Sequence, residues 1–219
     1  MANEDSFISE VSEEVRRDRL FALMRRYGWI AILLVVAIVG GASWNEWRKA
    51  SAQAAAEAKG DAIITALQEE TPEARAAALQ TVDASDAPSG VAILGLLTSA
   101  AELEADNEDA AIAALEGVIN DPDAPQVYRD VALLKQVLAF SDRLEPQSRI
   151  DMLQPLLRPG NPFRLLAVEQ RAYAEVELGD TDAALTSLQG ILADAEASED
   201  LRRRARQLIV ALGGDVQQG

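Results

Sequence analysis

The sequence contains neither cysteine nor histidine. That excludes a disulfide framework, a Cys/His zinc site, a Ser-His-Asp triad, a cysteine nucleophile and a c-type haem attachment. Aromatic residues make up only 5% of the 219 positions. Basic residues are also scarce, with 20 Lys plus Arg against 36 Asp plus Glu and a formal net charge of −16. A chain with that balance repels nucleic acid. What it does have is small and apolar: 49% of its residues are hydrophobic. This is enough for a packed core, and with so few aromatics it points to helices rich in alanine and leucine. No enzymatic activity, cofactor, metal or small-molecule substrate is expected.

Charge is missing altogether from one stretch. Between Arg26 and Glu46 lie nineteen uncharged residues, Tyr27 to Asn45. At about 1.5 Å per residue a helix of that length spans roughly 28 Å, close to the thickness of a bilayer's hydrocarbon core. The apolar body includes Ile30, Leu33, Leu34, Val35, Val36, Ile38 and Val39, while Tyr27 and Trp29 mark one border and Trp44 and Trp47 the other. Aromatic side chains at both ends suit the two membrane–water interfaces. A cleaved signal peptide is the first competitor, since Ala50-Ser51-Ala52 offers a small-residue cleavage site. The leader would be too long and too acidic, however, and Arg48 and Lys49 are wrong for a cleavage region. A buried core helix is the second. The reading adopted is a permanent transmembrane helix over 27–47.

Orientation follows from the flanking cations. Arg16, Arg17, Arg19, Arg25 and Arg26 precede the span, against Arg48, Lys49 and Lys59 after it. Five against three favours a cytoplasmic N-terminus. Residues 51–219 carry 29 acids and 13 bases and therefore the whole net charge. In a bacterium this body is expected in the periplasm, where a cysteine-free chain avoids unwanted oxidation. Residues 1–26 form a separate segment in which Phe7, Ile8, Val11 and Val15 fall at helical spacing and Ser9 or Ser12 offers a cap. The segment reads either as an amphipathic helix on anionic lipid or a cytosolic partner, or simply as the topology determinant.

The remainder, 48–219, repeats itself. Ile112–Ile119, Ile150–Leu157 and Leu185–Leu192 are similar apolar stretches, preceded by the weaker copy Ala76–Asp83, at successive offsets of 36, 38 and 35 residues. These straddle the period of about 34 residues of tetratricopeptide repeats and predict stacked helical hairpins. Leu115 and Leu153 lie in two of the copies, and Ala101, Ala139 and Ala174 take matching places in the preceding helices, where small residues let helices approach closely. The best-formed unit spans Ala172 to Leu192. Gly179 ends its first helix, Asp180 or Thr181 caps the second, and Ala184, Leu188 and Ile191 form the buried stripe. Pro155 should kink or shorten its helix. Breaks are expected at Thr71-Pro72, 84–90, 121–125, Leu144–Pro146 and 158–162. Ser198–Leu212 reads as a last helix capping the stack, with Leu201, Ala205, Leu208, Ile209 and Leu212 on one face. The fold class expected is all-α, a single transmembrane helix followed by a tetratricopeptide repeat-like α-solenoid without sheet.

An N-terminal stub, one span, an alanine-rich helix and degenerate repeats together resemble the bacterial YfgM-type family, whose members resemble ancillary subunits of the SecYEG translocon. The likeness runs from about Arg25 to Leu212 and is strongest over Val168–Leu192, where Ala172, Leu178, Gly179, Asp180, Ala184 and Leu185 carry the repeat pattern. The acidic-then-basic stub departs from the enterobacterial pattern and is closer to alphaproteobacterial members. The resemblance implies a place beside the translocon, with a membrane-anchored periplasmic prolyl isomerase-like chaperone as companion.

Little other chemistry is on offer. Asp106-Asn107-Glu108-Asp109 lacks the glycine and ligand spacing of a calcium loop and reads as a turn with a helix cap. Glu102/Glu104 and Glu175/Glu177 lie two apart on a helix, on different faces, and are expected at a solvated surface. Gly40-Gly41 sits inside the span and reads as a tolerated pair or a close helix contact. Arg202, Arg203, Arg204 and Arg206 form the basic cluster of the body. They read as a solvated helix side, or, through Arg202, Arg203 and Arg206, as a contact for an acidic partner. Function is therefore expected to be recognition by surface: a chaperone-like translocon subunit facing the periplasm or, alternatively, an envelope scaffold organising a respiratory or division complex.

Overall fold

A computed structural model describes the backbone of residues 4–215 and the side chains of 25, 26, 29, 30 and 33–215. The side chains of Arg16, Arg17, Arg19 and Tyr27, and those proposed for the N-terminal amphipathic face, lie outside the described residues. The described chain is all-helical, with nine α-helices and no strand. They are α1 Glu4–Leu67, α2 Pro72–Gln80, α3 Pro88–Glu104, α4 Glu108–Ile119, α5 Gln126–Ala139, α6 Pro146–Leu153, α7 Arg164–Glu177, α8 Thr181–Ala193 and α9 Glu199–Ala211. A single 3₁₀ turn, Gln154–Leu157, follows α6. Contacts divide the chain into two units, Met1–Ala58 and Lys59–Gly219.

The first unit belongs to α1, which runs without a break through Ser9 and Ser12, so neither serine starts a helix. Over the described residues, no helix is long and apolar enough to cross a membrane. Tyr27, Gly28, Ala31 and Ile32, four positions of the expected span, are among those whose side chains are not described. By contacts the second unit is Lys59–Gly219. Residues 48–58 are exposed along their whole length.

In the second unit each helix packs against the next from α2 to α9, and α3 also meets α5, as α5 meets α7. This order is compatible with an α-solenoid. The core is segmented. Ala66 of α1 joins Ala76 and Leu79 of α2 and Ala101 of α3. Leu115 and Val118 of α4 pack with Ala132 of α5, and Leu153 and Leu156 with Leu134, Val137 and Ala167. Ala172, Leu188 and Ile191 pack with Leu201, Ala205 and Ile209 of α9. Every strong repeat copy seen in the sequence is therefore the second helix of a hairpin.

Local rules account for the boundaries. Thr71 caps α2 by accepting the Ala74 N–H at 3.2 Å, Asp180 caps α8 from Ala183 at 3.1 Å, and Ser198 caps α9 from Leu201 at 3.3 Å. Pro72, Pro88 and Pro146 stand at helix starts, where their absent N–H costs nothing. Pro155 ends α6 at Leu153 and tightens the chain into the 3₁₀ turn. Gly179 (φ +79°) closes α7 with the Asp180 N–H donating to Glu175 C=O and its own N–H to Val176 C=O, both at 2.9 Å. Asp106 (φ +56°) makes the same closure after α3 without being glycine. The residues expected as a break at 84–90 are partly helical, because Pro88 starts α3 earlier.

Candidate interaction surfaces

In the first unit, Trp29, Ile30, Leu33, Leu34, Val35, Val36, Ile38 and Val39 are between 44% and 64% exposed. At about 100° per residue their directions cover the whole circumference of the helix. A helix apolar all round has no polar face to turn to water. Trp44 and Trp47 close this stretch one helical turn apart, their rings 5.3 Å between centroids and tilted by 42°. Arg25 and Arg26 precede it and are exposed.

The second unit offers clefts along its helices. The one between α3 and α5 encloses about 380 Å³, with Leu115 of α4 at its base and Leu103 and Leu138 on its walls. Both wall leucines are exposed, and Glu104 and Lys135 stand beside them with opposite charges. An apolar floor with a few polar groups at the edge suits an apolar side chain presented by a peptide or helix. A second cleft of about 300 Å³ lies among α2, α3 and α4 over Leu79, Val91 and Gly95. Neither Leu103 nor Leu138 stands out in the sequence, since each continues the apolar pattern of its helix.

Charged side chains tie helices and turns together. Arg75 pairs with Glu104, Arg143 with Glu108 (3.0 Å) and Asp109 (2.9 Å), Arg149 with Glu177, Arg164 with Asp194 (2.7 Å) and Arg204 with Glu169. Partners are 28 to 35 residues apart, close to one repeat. Of the carboxylates expected at a solvated surface, Glu104 and Glu177 are exposed, whereas Glu102 and Glu175 are drawn into the packing. Glu102 is buried and accepts from Asn107 Nδ2 at 2.9 Å, and Glu175 accepts from the Ser187 hydroxyl at 2.7 Å. Glu104 and Glu177 reach other helices because the two faces of their own helix each meet a neighbour. The acidic run 106–109 is likewise a turn tied to Arg143, although Asn107 caps no N–H of α4 with its side chain. Among the described residues no three acids come together in a way that could hold a metal ion.

Several electrostatic effects follow. The Arg164 guanidinium, with the Glu196 backbone N–H second, holds the Asp194 carboxyl below its ordinary range. Burial pushes the Tyr173 phenol up, and the nearby Glu169 carboxylate adds to it. The hydrogen bonds from Arg204 to Glu169 raise the arginine above its ordinary value.

Of the repeat-packing residues, Ala101, Leu115, Leu153, Ala172, Ala174, Ala184, Leu188 and Ile191 are buried, and Gly179 takes its left-handed place in the turn. Ala139 is exposed. It is the last residue of α5, and Phe140 folds inward in its stead, 1% exposed. A small residue missed in the sequence is Gly95, where a Cβ would stand 2.4 Å from Val118 Cγ2 of α4. In the basic cluster, Arg202 bonds Glu199 (2.8 Å) and Asp194 C=O (2.8 Å), and Arg204 grips Glu169 with two bonds at 2.7 and 2.8 Å. Arg203 meets only the exposed Asp200, and Arg206 has no ion pair among the described residues. The four arginines thus divide into two that hold α9 in place and two that face outward.

No family model matches the sequence, and neither a curated protein nor a solved structure matches it.

Proposed function

We infer that the chain is a non-enzymatic protein–protein interaction subunit held in the bacterial inner membrane by residues 27–47. Its N-terminus is cytoplasmic and its tetratricopeptide repeat-like domain periplasmic, serving as an ancillary, chaperone-like component of the SecYEG translocon beside a membrane-anchored periplasmic chaperone. The observation that carries the anchor is the ring of exposed apolar side chains on α1, bounded by Trp29 on one side and the Trp44–Trp47 pair on the other. Such a surface is stable in hydrocarbon and not in water. The interaction role is supported by the apolar cleft between α3 and α5. The translocon as partner rests on the family resemblance of the repeats and the span.

A periplasm-dependent reporter fused after Gly219 is expected to be active, and activity only in the cytoplasm would overturn the orientation. Purification of the full chain in mild detergent after crosslinking is expected to bring translocon subunits in stoichiometric amount. Their absence, with subunits of another envelope complex in their place, would transfer the chain to a scaffold unrelated to secretion.

A further inference from the structure

The final turns of α1 pack on α2 and α3, and α9 packs on α7 and α8, and among the described residues each has neighbours on one side only. Ile63 and Ala66 turn inward to α2 and α3, and Leu201, Ala205 and Ile209 turn inward to α7 and α8. The opposite stripe of α1 is Asp61, Ile64 and Thr65, continued by Gln68 just beyond the helix, and that of α9 is Arg203, Arg206, Gln207 and Val210. All eight are exposed, and both stripes follow the i, i+3, i+4, i+7 spacing of a helix face that packs on another helix. Among the described residues of the unit, Ile64 (54%) and Val210 (63%) are the two most exposed large apolar side chains. A stack of repeats that ends in solvent needs polar outer faces, and these two faces are not fully polar.

Their charges are opposite. Asp61 stands on the first stripe, with the exposed Glu69 and Glu70 just beyond α1. Arg203 and Arg206 stand on the last. Among the described residues neither Asp61 nor Arg206 has an ion pair, and the pair of Arg203 with Asp200 is an exposed i,i+3 contact of little worth. We propose that these two faces bind each other between copies of this chain, head to tail, α9 of one copy lying on the α1 stripe of the next. Val210 then covers Ile64, and Arg203 and Arg206 face Asp61 and its acidic neighbours.

The net charge of −16 bears on this in two ways. Repulsion between whole copies is screened beyond about 8 Å at physiological ionic strength, whereas groups in contact are not. The acid excess of residues 51–219, meanwhile, disfavours side-by-side association and makes the α9 stripe with Arg203 and Arg206 a place of attraction. A contact between two different faces leaves one face free at each end of the assembly, so it grows with concentration and does not stop at a closed dimer. This stands apart from the membrane and translocon readings and survives or fails without them.

The absence of cysteine makes a direct test available. Full-length Ile64→Cys and Val210→Cys chains, each with a single thiol, are mixed in mild detergent and oxidised. The expected product is a disulfide between residue 64 of one copy and residue 210 of another, well above the 64–64 and 210–210 products. A chain carrying both substitutions should give a ladder of dimers, trimers and larger species. Arg203→Glu with Arg206→Glu in the Val210→Cys chain should lower the mixed product about tenfold, the factor that corresponds to a modest loss of contact energy. Asp61→Lys with Glu69→Lys in the other chain should restore it. Circular dichroism shows whether each variant keeps its helices. Predominant 64–64 or 210–210 products, indifference to charge reversal in folded variants, or monomers alone by light scattering would each overturn the proposal.

Discussion

Asp106 holds φ +56° at the end of α3, in the position that Gly179 and Gly213 take after α7 and α9. In all three the next residue's N–H returns to a carbonyl of the last turn at 2.9 Å. Aspartate tolerates this left-handed conformation better than alanine does, and glycine has no Cβ to resist it. Asp106→Gly should therefore be more stable than Asp106→Ala by about 1 kcal/mol, a comparison in which both variants lose the same charge. Thermal unfolding followed by circular dichroism should show the difference as a melting point about 2–4 °C higher. Gly95 behaves in the opposite sense. Alanine there gains about 1 kcal/mol in helix propensity but drives its Cβ into Val118, which is buried between α3 and α4. Gly95→Ala should be destabilising by about 1 kcal/mol or more in urea unfolding. Adding Val118→Ala should remove that sensitivity to Gly95 if the clash is its cause. Gly179 was legible in the sequence because a turn announces itself over four residues. Gly95 was not, because the atom it must avoid is 23 positions away on another helix.

At the scale of elements, α9 is held by its apolar face and by one ion pair. Glu169 is 4% exposed and accepts two bonds from Arg204, so Arg204→Ala leaves a buried carboxylate without its donors. The expected cost is about 2 kcal/mol, partly relieved when Glu169→Gln is added, while Arg203→Ala should cost under about 0.5 kcal/mol. Chemical denaturation of the three variants checks the order. Arg164 ties the start of α7 to the turn after α8 through Asp194, whose pKa is lowered in the folded state. That stabilisation is fully present above the unfolded carboxyl pKa of about 4 and is lost as pH falls through the lower folded value. Arg164→Gln should therefore destabilise the protein near neutral pH and flatten its loss of stability in acid, as read from melting points between pH 7 and pH 3. The arginines of 202–206 looked alike in the sequence. Only the packing of α9 on α7 separates Arg204, which is structural, from Arg203 and Arg206.

For the whole molecule the composition is unevenly distributed. Residues 51–219 hold the entire net charge, while the described apolar stretch of the first unit holds none. If residues 27–47 anchor the chain, an arginine near their middle should be costly. Replacing a valine there changes insertion by about 3 kcal/mol, or roughly a hundredfold. Val36→Arg is expected to shift the protein from the carbonate-resistant membrane pellet to the extractable fraction. Because Val36 lies outside the unit Lys59–Gly219, the helical signal of that unit should persist.

Hairpin order, helix limits and turn chemistry could be read from the sequence because they depend on signals within a few residues. Asp180 caps, Pro155 stops a helix, and the apolar period repeats. The uneven charge and the single uncharged run were equally plain. Tertiary structure alone decided how neighbouring helices cross, and that in turn set which small residue meets a neighbour, Gly95 and not Ala139. It also decided which carboxylates one repeat away complete each arginine, and that both terminal helices keep an exposed apolar residue beside charges of opposite sign. Caps and periodicity act along the chain, whereas crossing register depends on atoms brought together from distant positions.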